Sequence, residues 1–126
     1  MHALFVDDEV EFLELMKKRL SRRGMDIDVA QDGQSALDTL DRVVRDGGDP
    51  FQIVVMDVRM PGMDGLETLR RMKEKYPDLP VILLTGHACM GVAVQGLELG
   101  AFDYMLKPVA ISELLIKMEE AARSAA

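Results

Sequence analysis

Ile53-Val54-Val55-Met56 is an unbroken apolar run, three of its four residues β-branched, and it ends on a carboxylate, Asp57. A run this short and this apolar fits a strand buried on both faces. Val81-Ile82-Leu83-Leu84 repeats the pattern and runs into Thr85-Gly86. Strands covered on both sides belong in a parallel sheet, because each crossover returns as a helix lying on one face or the other. Pro61 and Gly62 punctuate the chain just beyond Asp57, so this acid stands where its strand leaves the core. In open α/β sheets, ligands bind in the crevice beyond the carboxyl ends of the strands.

The rest of the chain reads as alternating strands and helices. Residues 3–6 form a first strand, β1, which ends in Asp7-Asp8-Glu9. Asp8 with Glu11 has the shape of a capping box opening helix α1, which runs to about residue 23 with Phe12, Leu13, Met16 and Leu20 inward. Residues 27–30 alternate like a half-exposed edge strand, β2, and α2 follows over about residues 34–45 with Ala36, Leu37, Leu40 and Val44 inward. The Asp57 strand is β3. Asp64 and Glu67 give a second capping-box shape, opening α3 to about residue 75. Residues 81–84 are β4, residues 90–99 α4, residues 102–106 β5, and residues 111–123 α5. In α4, the spacing puts Ala93, Gly96, Leu97 and Gly100 inward and leaves Val92 and Leu99 on an outward stripe near Met90. Five strands alternating with five helices predict an α/β fold, a flavodoxin-like (βα)5 sandwich with parallel strand order 2-1-3-4-5.

At 126 residues, with 48% hydrophobic and 29% charged content, the chain reads as a single domain, residues 1–126, able to bury a core. The net charge of −7 argues against a nucleic-acid surface. The one cysteine, Cys89, excludes an internal disulfide and fits a reducing cytoplasm. No apolar run reaches the roughly 20 residues of a membrane span, and β1 begins too early to leave room for a signal peptide. Methionine is abundant, with 10 residues, and reads as core filling.

The expected strand order collects Asp7, Asp8, Asp57, Thr85 and Lys107 around one crevice. Each has an ordinary reading alone: a helix cap, a strand-end acid, a turn. Their joint occurrence at the carboxyl ends of different strands is what carries weight. Two carboxylates about 4 Å apart, at an effective dielectric near 20, repel by about 4 kcal/mol. Either a carboxyl stays protonated or a cation binds, and a hard divalent ion such as Mg²⁺ suits an all-oxygen set. Lys107 and Thr85 add a compact positive charge and a hydroxyl suited to phosphoryl oxygens. Asp57 is thereby placed to act as a nucleophile towards phosphorus.

The motifs that carry this pattern are Asp7-Asp8, Val-Val-Met-Asp57-Val-Arg-Met-Pro-Gly-Met-Asp-Gly, Leu-Thr85-Gly-His, and Gly-Ala-Phe-Asp-Tyr104-Met-Leu-Lys107-Pro. Over essentially its whole length the chain resembles the receiver domains of two-component response regulators. The resemblance implies that Asp57 accepts a phosphoryl group from a sensor histidine kinase or a histidine phosphotransfer protein. It implies Mg²⁺ as cofactor, held by Asp8, Asp57 and the backbone carbonyl of Arg59, with Asp7 acting mainly through water. Lys107 would contact the phosphoryl group, Thr85 would move to bond it, and Tyr104 would swing inward behind Thr85, altering the α4–β5–α5 face. That face would meet an output domain or partner, or a second copy in a homodimer on phosphorylation. Arg59 and His87, each two residues past a key group, resemble tuners of phosphate lifetime, and Ala110 stands where an acidic cap of α5 is common.

This is a switch rather than an enzyme. A phosphatase of the haloacid dehalogenase type would carry an acid two residues after its nucleophile, where this chain has Arg59. A flavin or dinucleotide binder would need a Gly-rich or hydroxyl-rich loop after β1, where this chain has Val-Asp-Asp-Glu.

Overall fold

The computed structural model describes residues 1–59, 64–86 and 90–124. The elements run β1 (His2–Val6), α1 (Val10–Ser21), β2 (Asp26–Ala30), α2 (Gly33–Asp46), β3 (Ile53–Asp57), α3 (Gly65–Lys75), β4 (Val81–Thr85), α4 (Met90–Glu98), β5 (Asp103–Leu106) and α5 (Ile111–Ser124). The strands form one parallel sheet in the order β2-β1-β3-β4-β5, as expected.

The apolar runs of β3 and β4 are buried at every residue, and the two-residue pleat explains how both faces are used. Val54 and Met56 join Leu4, Val81 and Leu83 against α2 and α3, through Ala36, Leu40, Leu69 and Met72. Ile53 and Val55 point the other way, joining Phe5, Ile82 and Leu84 against α1 and α5 through Leu13, Leu20, Leu114 and Met118. Each fully buried Leu, Ile or Val here contributes about 1.5–3 kcal/mol of transfer free energy. The sheet is therefore held on both sides, and its strand ends are a rigid platform.

Three local expectations are corrected. The capping box at Asp8 and Glu11 does not form. Helix α1 starts from Glu9 without a side-chain cap, and the Glu9 N–H donates instead to Asp7 Oδ1 at 2.9 Å. Asp8 lies with the other strand-end acids rather than on the helix. In α2 it is Val43 that packs on the core, while Val44 is 66% exposed. Burial in α2 runs through Gly33, Ala36, Leu37 and Leu40, and in the last turn it passes to Val43, which packs in the cluster that holds Phe51, Tyr76 and Leu79.

The third correction concerns α4. Ala93 and Gly96 are buried as expected, but Val92 packs on the core and Leu97 is exposed, with Gly100 exposed beyond the helix end. Gly96 decides this. A Cβ there would lie 2.3 Å from Leu83 Cδ1, so the helix approaches β4 through that bare backbone and rolls Leu97 outward. Leu99 is exposed as expected, just past the helix end, and the outward apolar stripe along the helix is Met90, Val94 and Leu97, spaced by four and three residues. At α3 the expected cap does form, Asp64 Oδ1 accepting from Glu67 N at 2.8 Å. Glu67 does not reach back, however; its carboxylate pairs with Arg70 and Arg71.

His2 ties the start of β1 to its neighbours. Its ring stacks on Phe51 with centroids 4.0 Å apart. Nε2 lies 2.8 Å from Asp28 Oδ2 and Nδ1 lies 2.9 Å from the Asp49 carbonyl. Both nitrogens can donate only in the imidazolium. Burial pushes the His2 pKa down, but the bonds to Asp28 and to the Asp49 carbonyl outweigh it and leave the pKa above its ordinary value. A group raised on folding contributes stability that is complete below its unfolded pKa of about 6.5 and is lost as pH rises through the folded pKa. We therefore expect His2→Gln to cost about 1–2 kcal/mol near pH 6 and distinctly less near pH 9. Urea unfolding at both pH values checks this, and a pH-independent difference would contradict it.

Candidate functional site at the carboxyl ends of β1, β3 and β5

Three strands deliver the site. Asp7 and Asp8 follow β1, Asp57 ends β3, and Lys107 follows β5. Asp7 is 1% exposed, Asp57 9%, and Asp8 is open to solvent. Carboxylate oxygens of the three acids lie within 4.8 Å of one another. β1 and β3 are hydrogen-bonded neighbours, which is why acids 50 residues apart in sequence meet here.

The two buried acids are held alike. Asp7 Oδ1 accepts from the N–H of Glu9 at 2.9 Å, and Asp57 Oδ1 accepts from the N–H of Arg59 at 3.0 Å. Each thus closes a short turn that fixes its carboxyl group as the chain leaves the sheet. Their second oxygens face one ammonium: Lys107 Nζ donates to Asp7 Oδ2 at 2.6 Å and to Asp57 Oδ2 at 3.1 Å. Glu9 Oε1 is 3.7 Å from the same nitrogen. The Lys107 backbone N–H donates to the Thr85 carbonyl at 2.8 Å, joining the lysine to the end of β4. The Lys107–Pro108 peptide bond is cis.

One ammonium does not neutralise three carboxylates. Burial raises the Asp7 pKa, outweighing the bonds from Lys107 and from the Glu9 N–H, and the Asp57 charge adds to the rise. Burial lowers the pKa of Lys107, but Asp7 and Asp57 more than offset it, so the lysine stays protonated. An all-oxygen cluster with surplus negative charge and one solvent-facing member is the donor set that a hard divalent cation takes. Asp7, Asp8 and Asp57 could hold such an ion. A cavity of about 500 Å³ lies elsewhere, lined mainly by apolar side chains including Leu40, Val43, Phe51, Tyr76 and Leu79. It lacks the convergent charges of the acid cluster.

Thr85 is fully buried, and its hydroxyl donates to the Gly86 carbonyl at 3.2 Å. Tyr104 is half-buried, packed on the layer that contains Leu83 and Val81. Asp103 binds Lys117 at 2.8 Å, linking β5 to α5. The Arg59 side chain is exposed. His87 lies outside the described residues. Phe12 is a site residue that sequence periodicity assigns only to the inner face of α1: Lys107 Nζ sits 4.6 Å from its ring centroid. No local signal could announce that contact, because its partner arrives from the far end of the chain.

A family model described as the response regulator receiver domain matches residues 3–119. The chain is 39% identical over 123 residues to the response regulator MprA of Mycolicibacterium vanbaalenii, covering 98% of this chain and 51% of that protein. It is 36% identical over 124 residues to the transcriptional regulatory protein FixJ of Bradyrhizobium diazoefficiens, covering 98% of this chain and 58% of that protein. The chain thus spans about half the length of these curated relatives. Among solved structures it is similar to a response regulator receiver domain protein from Clostridium thermocellum, with a TM-score of 0.87 at 30% identity, covering 98% of this chain and 94% of the other. It is similar also to the receiver domain of NtrX from Brucella abortus, with a TM-score of 0.84 at 32% identity, covering 97% and 98%. Among the described residues, no helix is long and apolar enough to cross a membrane.

Proposed function

The chain belongs to the response regulator receiver domain family, and from that premise we propose that Asp57 is its phosphoacceptor, supplied by a histidine kinase or histidine phosphotransfer protein. The observation that carries the reading is the Asp57 carboxylate at the end of the central strand, sharing one ammonium with Asp7. An Asp57 carboxylate oxygen attacks phosphorus, a P–O bond forms, and the P–N bond to the donor imidazole breaks with its electron pair passing to nitrogen. Lys107 faces the charge that develops on the phosphoryl oxygens. Asp8, Asp57 and the Arg59 carbonyl would hold Mg²⁺, with Asp7 acting through water, and the ion when bound would supply further charge neutralisation. The Arg59 side chain, exposed two residues past Asp57, and His87 tune access of the water that ends the signal.

Thr85 then turns from the Gly86 carbonyl to the phosphoryl group, and Tyr104 moves in behind it. This shifts an existing equilibrium towards a state in which α4, β5 and α5 present a changed face to an output partner or a second copy. The outward stripe of Met90, Val94 and Leu97 belongs to that face.

Incubation with radiolabelled acetyl phosphate tests the reading. We expect up to one label per chain, dependent on Mg²⁺, and a longer-lived label than in an Arg59→Ala/His87→Ala variant. Sedimentation with beryllofluoride and Mg²⁺ should shift self-association or binding to the output partner. Many turnovers of phosphate release without a retained label would favour a phosphatase instead.

A further inference from the structure

The Lys107 ammonium is bordered by carboxylates and, separately, by an aromatic ring. Its Nζ lies 2.6 Å from Asp7, 3.1 Å from Asp57 and 3.7 Å from Glu9, and 4.6 Å from the Phe12 ring centroid. Phe12 stands in the first turn of α1, half-buried beside the apolar layer of Leu13 and Leu114. A cation within about 6 Å of a ring centroid is attracted by the negative face of the ring, most strongly where water is scarce. The Lys107 side chain is only 19% exposed.

We propose that Phe12 is a positioning residue for Lys107, a seat that keeps the ammonium over the pocket while its N–H bonds pass from Asp7 and Asp57 to phosphoryl oxygens. This role rests on the reading of Asp57 as phosphoacceptor. An ammonium has three donors, and at rest two are spent on the carboxylates. When the Asp57 oxygen bonds to phosphorus, its hold on Lys107 changes, and Asp7, the nearer partner, would draw the ammonium aside. A hydrogen bond weakens steeply as it bends, whereas attraction to a ring face does not depend on where each N–H points. The ring thus holds the charge in place without fixing its bonding direction. It also adds no negative charge to a cluster that already has too much. A leucine would fill most of the same space without this property.

Two measurements on the whole chain separate a seat from simple packing. The first is a double-mutant cycle in metal-free buffer, with Phe12→Leu made alone and on Lys107→Met, which keeps the aliphatic stem and removes the charge. We expect Phe12→Leu to raise the unfolding constant about 3- to 30-fold more when the ammonium is present. The second is the rate of labelling by acetyl phosphate at saturating Mg²⁺, a donor too small to touch α1 as a protein kinase would. Phe12→Leu should slow it by about 5- to 30-fold, and Phe12→Tyr, which restores a ring face, should recover most of the loss. Equal destabilisation in both backgrounds, or Tyr as slow as Leu, overturns the proposal. If the unaltered chain takes no label, the reading of Asp57 fails and this role with it. Normal labelling of both the unaltered chain and Phe12→Leu overturns the role of Phe12 alone.

Discussion

Asp57→Asn is expected to bring labelling by acetyl phosphate and Mg²⁺ down to background. The substitution keeps the shape of the side chain, and its amide oxygen can still accept from the Arg59 N–H as Asp57 Oδ1 does at 3.0 Å. What it removes is the anionic oxygen now facing Lys107, the nucleophile of the proposed reaction and one member of the acid cluster. The fold should survive, because one of three mutually repelling carboxylates has gone. Neither remaining acid should substitute. Asp7 is 1% exposed and held by the Glu9 N–H and Lys107, and Asp8, although its carboxylate joins the cluster, is open to solvent and follows β1 rather than ending the central strand. Mass spectrometry of the labelled chain would check the outcome. Label on the Asn variant at the level of the unaltered chain would move the phosphoacceptor to another carboxylate.

Gly65→Ala is expected to destabilise the protein by about 2–3 kcal/mol, a fall of roughly 10 °C in Tm, and to weaken Mg²⁺-dependent labelling. A Cβ on residue 65 would lie 2.6 Å from Val58 Cα, 2.8 Å from the Val58 carbonyl oxygen and 2.9 Å from the Asp57 carbonyl oxygen. All three obstacles are backbone, so no rotamer change can clear them. The Gly65 N–H also donates to the Val58 carbonyl at 3.1 Å, tying α3 to the segment that leaves β3. Relief therefore requires moving α3 or the turn that aims Asp57. Gly91→Ala is the control. Its Cβ would meet nothing within 4 Å, and in a helix it should be neutral or stabilising by about 0.5–1 kcal/mol. Thermal unfolding of both variants decides the matter; equal Tm values would show that the turn absorbs the extra methyl.

These two expectations come from different levels of description. Asp57 was legible because a buried-strand run ending in an acid is a local pattern, and the alternation of strands and helices fixes which strand ends meet. The Gly65 contact was not legible, since a glycine at a helix start reads as an ordinary turn. Capping at Asp64 could be read from its spacing to Glu67, and it formed. The same spacing at Asp8 and Glu11 misled, because the chain there is claimed by the acid cluster and by the Asp7 turn to Glu9. Local preference worth about 1 kcal/mol yields to such tertiary demands.

By itself, then, the chain's pattern determined the parallel sheet, its strand order and the meeting along one edge of the strand ends that bear Asp7, Asp8, Asp57, Thr85 and Lys107. Period-two and period-3.6 burial are properties of neighbouring residues, and strand ends must share one edge. Only the tertiary structure decided how helices roll on the sheet, packing Val43 on the core in place of Val44 and turning Leu97 out where Gly96 meets Leu83. It alone also set which groups surround Lys107, with Phe12 beneath its ammonium and two carboxylates in front. Such contacts join segments distant in sequence, and their geometry depends on packing to within an ångström, which no local pattern specifies.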